Sequence, residues 1–524
     1  YFDNVPDMTN PTQLVSFGTS GHRGTSVDGT FTDLHVAAIT QAICDGRKQF
    51  GATGPIFVGQ DTHALSQPAL VTVLEVLAGN GVTAMVDCDM DFVPTPSVSR
   101  AIIRYNEEHD DKADGIIITP SHNPPDNGGI KYNTIIGGPA DTVVTKWIEM
   151  RANEYLTAYC ESEDFKRISI DNIEPTAQVP YDYKGLYVEE LGDVINMEAI
   201  KAAGPKVLVD TLGGSGASYW NAIKERYGLD LTIIHDDYDP TFSFMTYDHD
   251  GKVRMDCSST YVMASVINRI GDFDLAVGND PDYDRYGIVV SSGLISANTF
   301  LTLAARYLFT TRGWKNKGVG KTVVCTTMID KWAADAETPV FEVPVGFKYF
   351  SQLLFDGAIG IGGEESAGAS FLKKDGTVWT TDKDGMIMAL LSMEIMAVMG
   401  KSALKMADES LEEFGNPSFG RIDAPCKKEQ KQILKQMSAE LITATTVDGD
   451  PITNIRTTSL YNDMPIDGVR VETDKGWFVA RPSGTEDLYK IYGESYKGDL
   501  GLVALLTAGE EIVNAALNGT IETE

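Results

Sequence analysis

Cysteine is scarce in this chain: six among 524 residues, at Cys44, Cys88, Cys160, Cys257, Cys325 and Cys426. No two form a C-x-x-C pair and none is grouped with histidine at zinc-ligand spacing, which excludes a disulfide framework and a structural zinc site of the usual patterns. Scattered thiols of this kind fit a reduced, cytoplasmic protein. Positive charge is also scarce. Lys and Arg number 43 against 75 Asp and Glu, a formal charge of −32, which argues against non-specific binding to nucleic acid or anionic membrane. Long apolar runs are missing. The longest apolar helix candidate, Gly385 to Gly400, carries Glu394 and falls short of the ~20 residues a bilayer span needs, so it reads as a core helix. The first residues, Tyr1 to Pro6, show no basic-then-apolar leader pattern.

Several chemistry-bearing motifs are likewise incomplete. Gly320-Lys321-Thr322 ends like a phosphate-binding P-loop, but Lys315 stands where its first glycine is required. Ser121 is outside any G-x-S-x-G, which argues against a hydrolase elbow. An EF-hand starting at Asp280 would need Gly and Glu where Arg285 and Ser291 stand.

What is present is an alternation of short apolar strands with helical periods, rich in turn residues. Pro55–Asp61 reads as a strand ending in a loop, Ser66–Gly81 as a helix, Thr83–Val86 as a strand and Pro94–Tyr105 as a helix. The run Gly115–Ile118 is then a buried strand. A similar series starts at Lys206–Asp210, with Leu231–Ile234 and Phe273–Val277 as further strands. A third starts at Thr322–Cys325, continuing through Val340–Val343 and Ala358–Ile361. This predicts three similar α/β domains with largely parallel sheets, each delivering a polar loop at a strand's carboxyl end to one shared cleft. The last stretch differs and reads as a smaller α+β domain.

The loops carry the candidate chemistry. Thr119-Pro120-Ser121-His122-Asn123-Pro124 follows the Gly115–Ile118 strand, and its prolines force a turn. Ser121 is thus a hydroxyl of little freedom, with Gly128, Gly129 and Lys131 nearby in sequence: a candidate nucleophile or phosphate carrier, or a plain serine in a turn. Phe17–Gly24 is a glycine-rich loop with one fixed cation, Arg23. Asp280, Asp282 and Asp284 alternate directly after a buried strand, and their mutual repulsion calls for a hard cation such as Mg²⁺ or Ca²⁺. Glu364, Glu365 and Ser366 offer acceptors and a donor for sugar hydroxyls, with helix capping the plain alternative for Ser366. Arg481, Ser483, Gly484 and Thr485, followed by Lys490, would make a phosphate cradle. Lys348 and Lys383 are cations in the third unit.

Taken in this order, Thr-Pro-Ser-His-Asn-Pro, Asp-Pro-Asp-x-Asp-Arg, Gly-Glu-Glu-Ser and Arg-Pro-Ser-Gly-Thr resemble the α-D-phosphohexomutase family, its bacterial phosphoglucomutases in particular. The resemblance runs from about Phe17 to about Tyr492. It implies four domains around a deep cleft, drawn here at 1–186, 187–303, 304–404 and 405–524. It implies interconversion of α-D-glucose 1-phosphate and glucose 6-phosphate through a phosphoserine and glucose 1,6-bisphosphate. Mannose or N-acetylglucosamine phosphates on the same fold, and a non-catalytic cation- or sugar-phosphate-binding relative, are the alternatives. Ser121 falls on the phosphoserine position, and Asp280, Asp282 and Asp284 with a phosphoserine oxygen on the Mg²⁺ site. Glu364 and Ser366 fall on the sugar loop. Arg481, Ser483, Gly484 and Thr485 fall on the loop for the non-reacting phosphate, with Lys348 and Lys490 expected beside the substrate. Arg23, Lys131 and Arg285 fall on catalytic-centre cations, and Lys383 on an acid/base position, with His122 a further catalytic candidate. Two departures stand out. Ala367, Gly368 and Ala369 follow Ser366 where phosphomannomutase-like members carry a histidine, and Tyr286 replaces a histidine of some close relatives. The expected partners are small sugar phosphates, with no nucleic acid or membrane and a monomeric or weakly dimeric state.

Overall fold

A computed structural model of the protein describes residues 1–18, 20–159, 165–483 and 488–521. The first sheet has six strands in the order His22–Thr25, Asn127–Asn133, Asp114–Ile118, Ile56–Gln60, Ala84–Asp87, Gln178–Tyr181. The last four run parallel, and the first two add an antiparallel edge. Ile56–Gln60 and Asp114–Ile118 are buried throughout, as strands covered by helices on both faces must be. Their carboxyl ends sit side by side and deliver Asp61 and the Thr119–Pro124 loop to the same edge.

The second sheet orders Gly293–Leu294, Gly287–Val290, Leu275–Gly278, Val207–Asp210 and Leu231–Ile234, the last three parallel. The third orders Val340–Val343, Gly318–Thr322, Ile359–Gly363 and Ala369–Phe371, with only the last antiparallel. Both parallel sets end in the loops singled out above. The fourth sheet is six-stranded and antiparallel, from Ser418–Pro425 to Thr446–Val447, with helices Lys428–Lys435 and Gly498–Ile521 packed on it. The expected class, three α/β domains and a smaller α+β domain, is the observed one.

Three expectations need correction. The third unit's first strand is Gly318–Thr322, and Val323-Val324-Cys325 is a turn. Those valines are apolar because the fourth domain covers them: they pack with Ile466, Trp477, Val479 and Tyr492. The borders at 303/304 and 404/405 pass through helices Ala297–Arg312 and Ala403–Phe414. The first packs on strand Ile359–Gly363 and the second on the first, so both belong with the third sheet. Finally, the core helix Gly385–Met399 is not the longest apolar one. Gly498–Asn518 is long and apolar enough to cross a membrane by length and composition, while its Leu505, Leu506, Val513 and Leu517 pack into the fourth domain's core.

Candidate active site

Ser121 sits where the turn after Asp114–Ile118 doubles back. It is 1% exposed and holds a left-handed backbone, φ 60°, which side chains other than glycine rarely adopt. Its amide donates to Thr119 Oγ1 at 2.7 Å, and the Thr119 hydroxyl donates to Asp61 Oδ2 at 2.6 Å. Ser121 Oγ donates to Asp280 Oδ2 at 2.9 Å and lies 3.2 Å from His122 Nδ1. The loops of the first and second domains therefore meet at this hydroxyl.

The acidic cluster is fully buried. One oxygen from each of Asp280, Asp282 and Asp284 lies within 4.8 Å of the other two. Asp282 Oδ2 accepts from Lys131 Nζ at 2.6 Å and Thr95 Oγ1 at 2.8 Å. Asp284 Oδ2 accepts from Lys131 Nζ at 3.2 Å and pairs with Lys383 Nζ at 2.7 Å. Asp280 Oδ1 accepts from the Arg285 amide at 2.9 Å. The remaining oxygens of Asp282 and Asp284, both Oδ1, accept no hydrogen bond. Two carboxylate oxygens without a donor, in a buried cluster whose third member, Asp280, holds the serine hydroxyl, offer oxygen ligands only, which fits a hard divalent cation. Burial, then the charges of Asp282 and Asp284, push the Asp280 carboxyl well above its usual range. Asp284 also meets the cost of burial, but Lys383, Lys131 and Arg285 outweigh it and hold this carboxyl low.

The expected cations converge here. Arg285 Nη1 donates to Asp256 Oδ2 at 3.1 Å, and Arg23 Nη1 to Asn123 Oδ1 at 3.3 Å. His122 Nε2 lies 3.9 Å from Asp256 Oδ2. Burial, helped by Arg285 and Arg23, lowers His122 to about 3 and keeps it neutral. For Lys131 the carboxylates Asp282 and Asp284 outweigh burial, so it stays an ammonium.

Glu364–Gly368 is a tight turn between the antiparallel strands Ile359–Gly363 and Ala369–Phe371, closed by the Glu364 amide on Gly368 O at 2.8 Å. No helix starts there, so Ser366 is not a helix cap. At Gly368 the Lys383 side chain lies directly over the turn: a Cβ would sit 2.3 Å from Lys383 Cδ. Gly385 is tighter still, its Cβ position 2.0 Å from Arg285 O. Gly385 lets the third domain press against the loop that carries the cluster. Glu364 is 6% exposed, and burial lifts it to about 7 against the opposing charge of Lys383.

The fourth domain brings Arg481, at the end of strand Gly476–Pro482, opposite Lys490 on strand Leu488–Ser495. Cations directly opposite share a face and repel, which suits an anion; Asp423 flanks Lys490 on the other side. The Ser483 amide donates to Leu488 O at 2.9 Å and ties the loop's base. Gly484 and Thr485 lie outside the described residues. Lys348 Nζ donates to Thr142 Oγ1 at 2.9 Å where domains one, three and four meet, with Arg481 and Asp467 acting on it.

Sequence reasoning missed Asp256, Thr95, Asp61 and His63. Asp61 was findable as a carboxylate at a parallel strand's carboxyl end. Asp256 lies in an irregular stretch of the second domain and carries no motif.

A buried hydroxyl, an acidic cluster and converging cations supplied by separate domains form the arrangement that phosphoryl-transfer enzymes use. Family models match the domains in turn. They are phosphoglucomutase/phosphomannomutase alpha/beta/alpha domain I over residues 14–158, domain II over 186–293, domain III over 296–414 and the C-terminal domain over 423–500. The chain belongs to the phosphoglucomutase/phosphomannomutase family. It is 47% identical over 520 residues to a phosphoglucomutase of Komagataeibacter xylinus, covering 98% of this chain and 93% of that protein. Among solved structures, a putative phosphomannomutase of Thermus thermophilus superposes with a TM-score of 0.75 at 23% identity, covering 96% of this chain and all of that one. The open form of the Paramecium phosphoglucomutase parafusin gives 0.75 at 20%, covering 98% and 96%. At these identities the structures speak to the fold.

Proposed function

We propose that this protein is a phosphoglucomutase, an isomerase that interconverts α-D-glucose 1-phosphate and glucose 6-phosphate through a phosphorylated Ser121. The observation that carries the reading is the Ser121 hydroxyl, buried and 2.9 Å from Asp280 of the carboxylate cluster on which the cations converge. A transferable phosphoryl group on Oγ would stand beside the carboxylate cluster and the cations Arg23, Lys131 and Arg285 that neighbour that cluster.

In the forward direction the phosphoryl group leaves Ser121 Oγ for the free 6-hydroxyl of glucose 1-phosphate. The P–Oγ bond breaks, the P–O6 bond forms, and the proton of the 6-hydroxyl ends on the departing Ser121 oxygen, which is left as a hydroxyl. Glucose 1,6-bisphosphate then turns around in the cleft. Ser121 Oγ takes the phosphoryl group back: the P–O1 bond breaks, the P–Oγ bond forms, and the serine proton ends on O1 as glucose 6-phosphate leaves. His122 Nδ1, neutral and 3.2 Å from Ser121 Oγ, accepts the serine hydrogen bond in that second half. Lys131 and Lys383 are bound to carboxylates and serve as fixed positive charge rather than as bases. Asp280, Asp282 and Asp284, with an oxygen of the phosphoserine, would hold one Mg²⁺, which supplies charge neutralisation on the transferring phosphoryl group. Glu364 and Ser366 orient the sugar hydroxyls. Arg481, Ser483, Gly484, Thr485, Lys348 and Lys490 hold whichever phosphate is not reacting. The family model's description covers phosphomannomutases too, so mannose phosphate is the competing substrate on the same machinery. Cysteine use supports a cytoplasmic setting.

The test is phosphoserine formation. Incubation with glucose 1,6-bisphosphate should add one phosphoryl group at Ser121, located by peptide mass spectrometry. Label elsewhere, or none, would contradict the assignment.

A further inference from the structure

We propose that His63 and Asp61 form a buried imidazolium–carboxylate pair that positions the Ser121 loop, with His63 a positioning residue for the transfer reaction; this rests on the reading of Ser121 given above. Both side chains are sealed from solvent, His63 at 0% and Asp61 at 1% exposure. Asp61 takes four hydrogen bonds. Oδ1 accepts from the His63 amide at 3.0 Å and Ser66 Oγ at 2.6 Å. Oδ2 accepts from Thr119 Oγ1 at 2.6 Å and faces His63 Nδ1 at 2.8 Å. The other ring nitrogen, Nε2, faces Asn123 O at 3.0 Å.

A carboxylate and a carbonyl oxygen can only accept. Both ring nitrogens must therefore donate, and only the imidazolium does so. A neutral ring would turn a lone pair onto an oxygen at one end. Its single N–H would stay with the carboxylate, the stronger acceptor, and the tether to Asn123 would be lost. The surroundings agree in sign. Burial alone disfavours the charge, but Asp61, the Asn123 carbonyl and the more distant Asp282 outweigh it. The Phe242 ring of the second domain covers the imidazole at 5.0 Å. The buried histidines His22 and His35 have no carboxylate partner, and each has a donor against one ring nitrogen: the Ser16 amide at 3.3 Å from His22 Nδ1 and the Thr32 hydroxyl at 2.9 Å from His35 Nδ1, with a backbone carbonyl at Nε2. A neutral ring therefore satisfies both ends, and burial lowers His22 to about 4.

The pair thus holds the loop on both flanks of Ser121. Asp61 commits the Thr119 proton, so that the Thr119 oxygen must accept from the Ser121 amide. His63 fixes the carbonyl of Asn123, whose side chain in turn accepts from Arg23. Between these two anchors Ser121 keeps its left-handed backbone, and Oγ stays aimed at Asp280.

The charge is read directly by nitrogen NMR of the full chain with labelled histidine at pH 7. The expected result is protonation of both His63 ring nitrogens, with His22 neutral; a neutral His63 tautomer overturns the proposal. Kinetics read the positioning. His63→Phe should lower kcat about tenfold or more while leaving KM for glucose 1-phosphate within about twofold, since misplacing a reacting group costs rate before it costs binding. His63→Arg, which keeps a charge and several donors, should recover part of that loss. Parental kcat in His63→Phe, or equal losses in both variants, overturns it. Absence of turnover in the parent protein would instead defeat the mutase reading, and the ring charge would still decide whether the pair exists.

Discussion

Ser121 combines a strained backbone, near-complete burial and a hydroxyl directed at Asp280, a costly combination for a residue with no chemical task. Ser121→Ala should abolish sugar-phosphate turnover, by ~10³-fold or more, with little change in melting temperature; surviving activity would refute the phosphoserine route. Asp282→Asn removes charge from the cluster and should weaken the Mg²⁺ dependence of turnover by about tenfold or more, read from a Mg²⁺ titration that would otherwise be unchanged. Glu364 gives a pH signature. Burial raises its carboxyl from 4.5 to about 7, so the folded protein keeps a proton that the unfolded chain releases. The stability linked to that proton is complete below pH 4.5 and lost as pH rises through 7, a difference of roughly 3 kcal/mol. Glu364→Gln cannot titrate. Relative to the parent it should gain stability between about pH 4.5 and 8 in urea denaturation, and a constant difference would contradict the assignment.

At the scale of elements, the loops carrying Ser121, the three aspartates and Glu364 each leave the carboxyl end of a strand in a parallel set, and this is why so much was legible. Apolar runs such as Gly115–Ile118 and Ile359–Ile361 announce buried strands, and the polar residues that follow must lie at the sheet's edge. Contacts between elements were not legible. Val323-Val324-Cys325 reads as a strand because burial under another domain leaves the same apolar mark as burial in a sheet. Asp256 reaches Arg285 across an irregular segment that no periodicity describes. His63 took its meaning only when its two ring nitrogens were seen to face acceptors. The docking of the fourth sheet on the third shows the same limit. Arg456 Nη1 and Nη2 donate to the two Glu342 oxygens at 2.5 and 2.9 Å in a buried, bidentate pair, and Thr327 and Trp477 both donate to Glu494. Arg456→Met would strand the Glu342 carboxylate and should cost ~3–5 kcal/mol at this interface, seen as faster hydrogen exchange in strand Pro465–Thr473. Adding Glu342→Gln should restore part of the protection; exchange unchanged by the single substitution would show that the pair does not hold the domain.

On the scale of the whole molecule, four domains converge on one junction, and no single domain holds a complete site. The hydroxyl comes from the first, the carboxylates from the second, the Glu364–Gly368 turn and Lys383 from the third, and Arg481 from the fourth. The net charge of −32 makes this local concentration of cations the more telling, since an anionic substrate gains nothing from the surface at large. The most direct test of the account mixes the protein with Mg²⁺, a trace of glucose 1,6-bisphosphate and glucose 1-phosphate, and follows glucose 6-phosphate, with mannose 1-phosphate in parallel. The account predicts rapid turnover of the glucose ester, slower turnover of the mannose ester and loss of both with a chelator. No turnover of either sugar would contradict it.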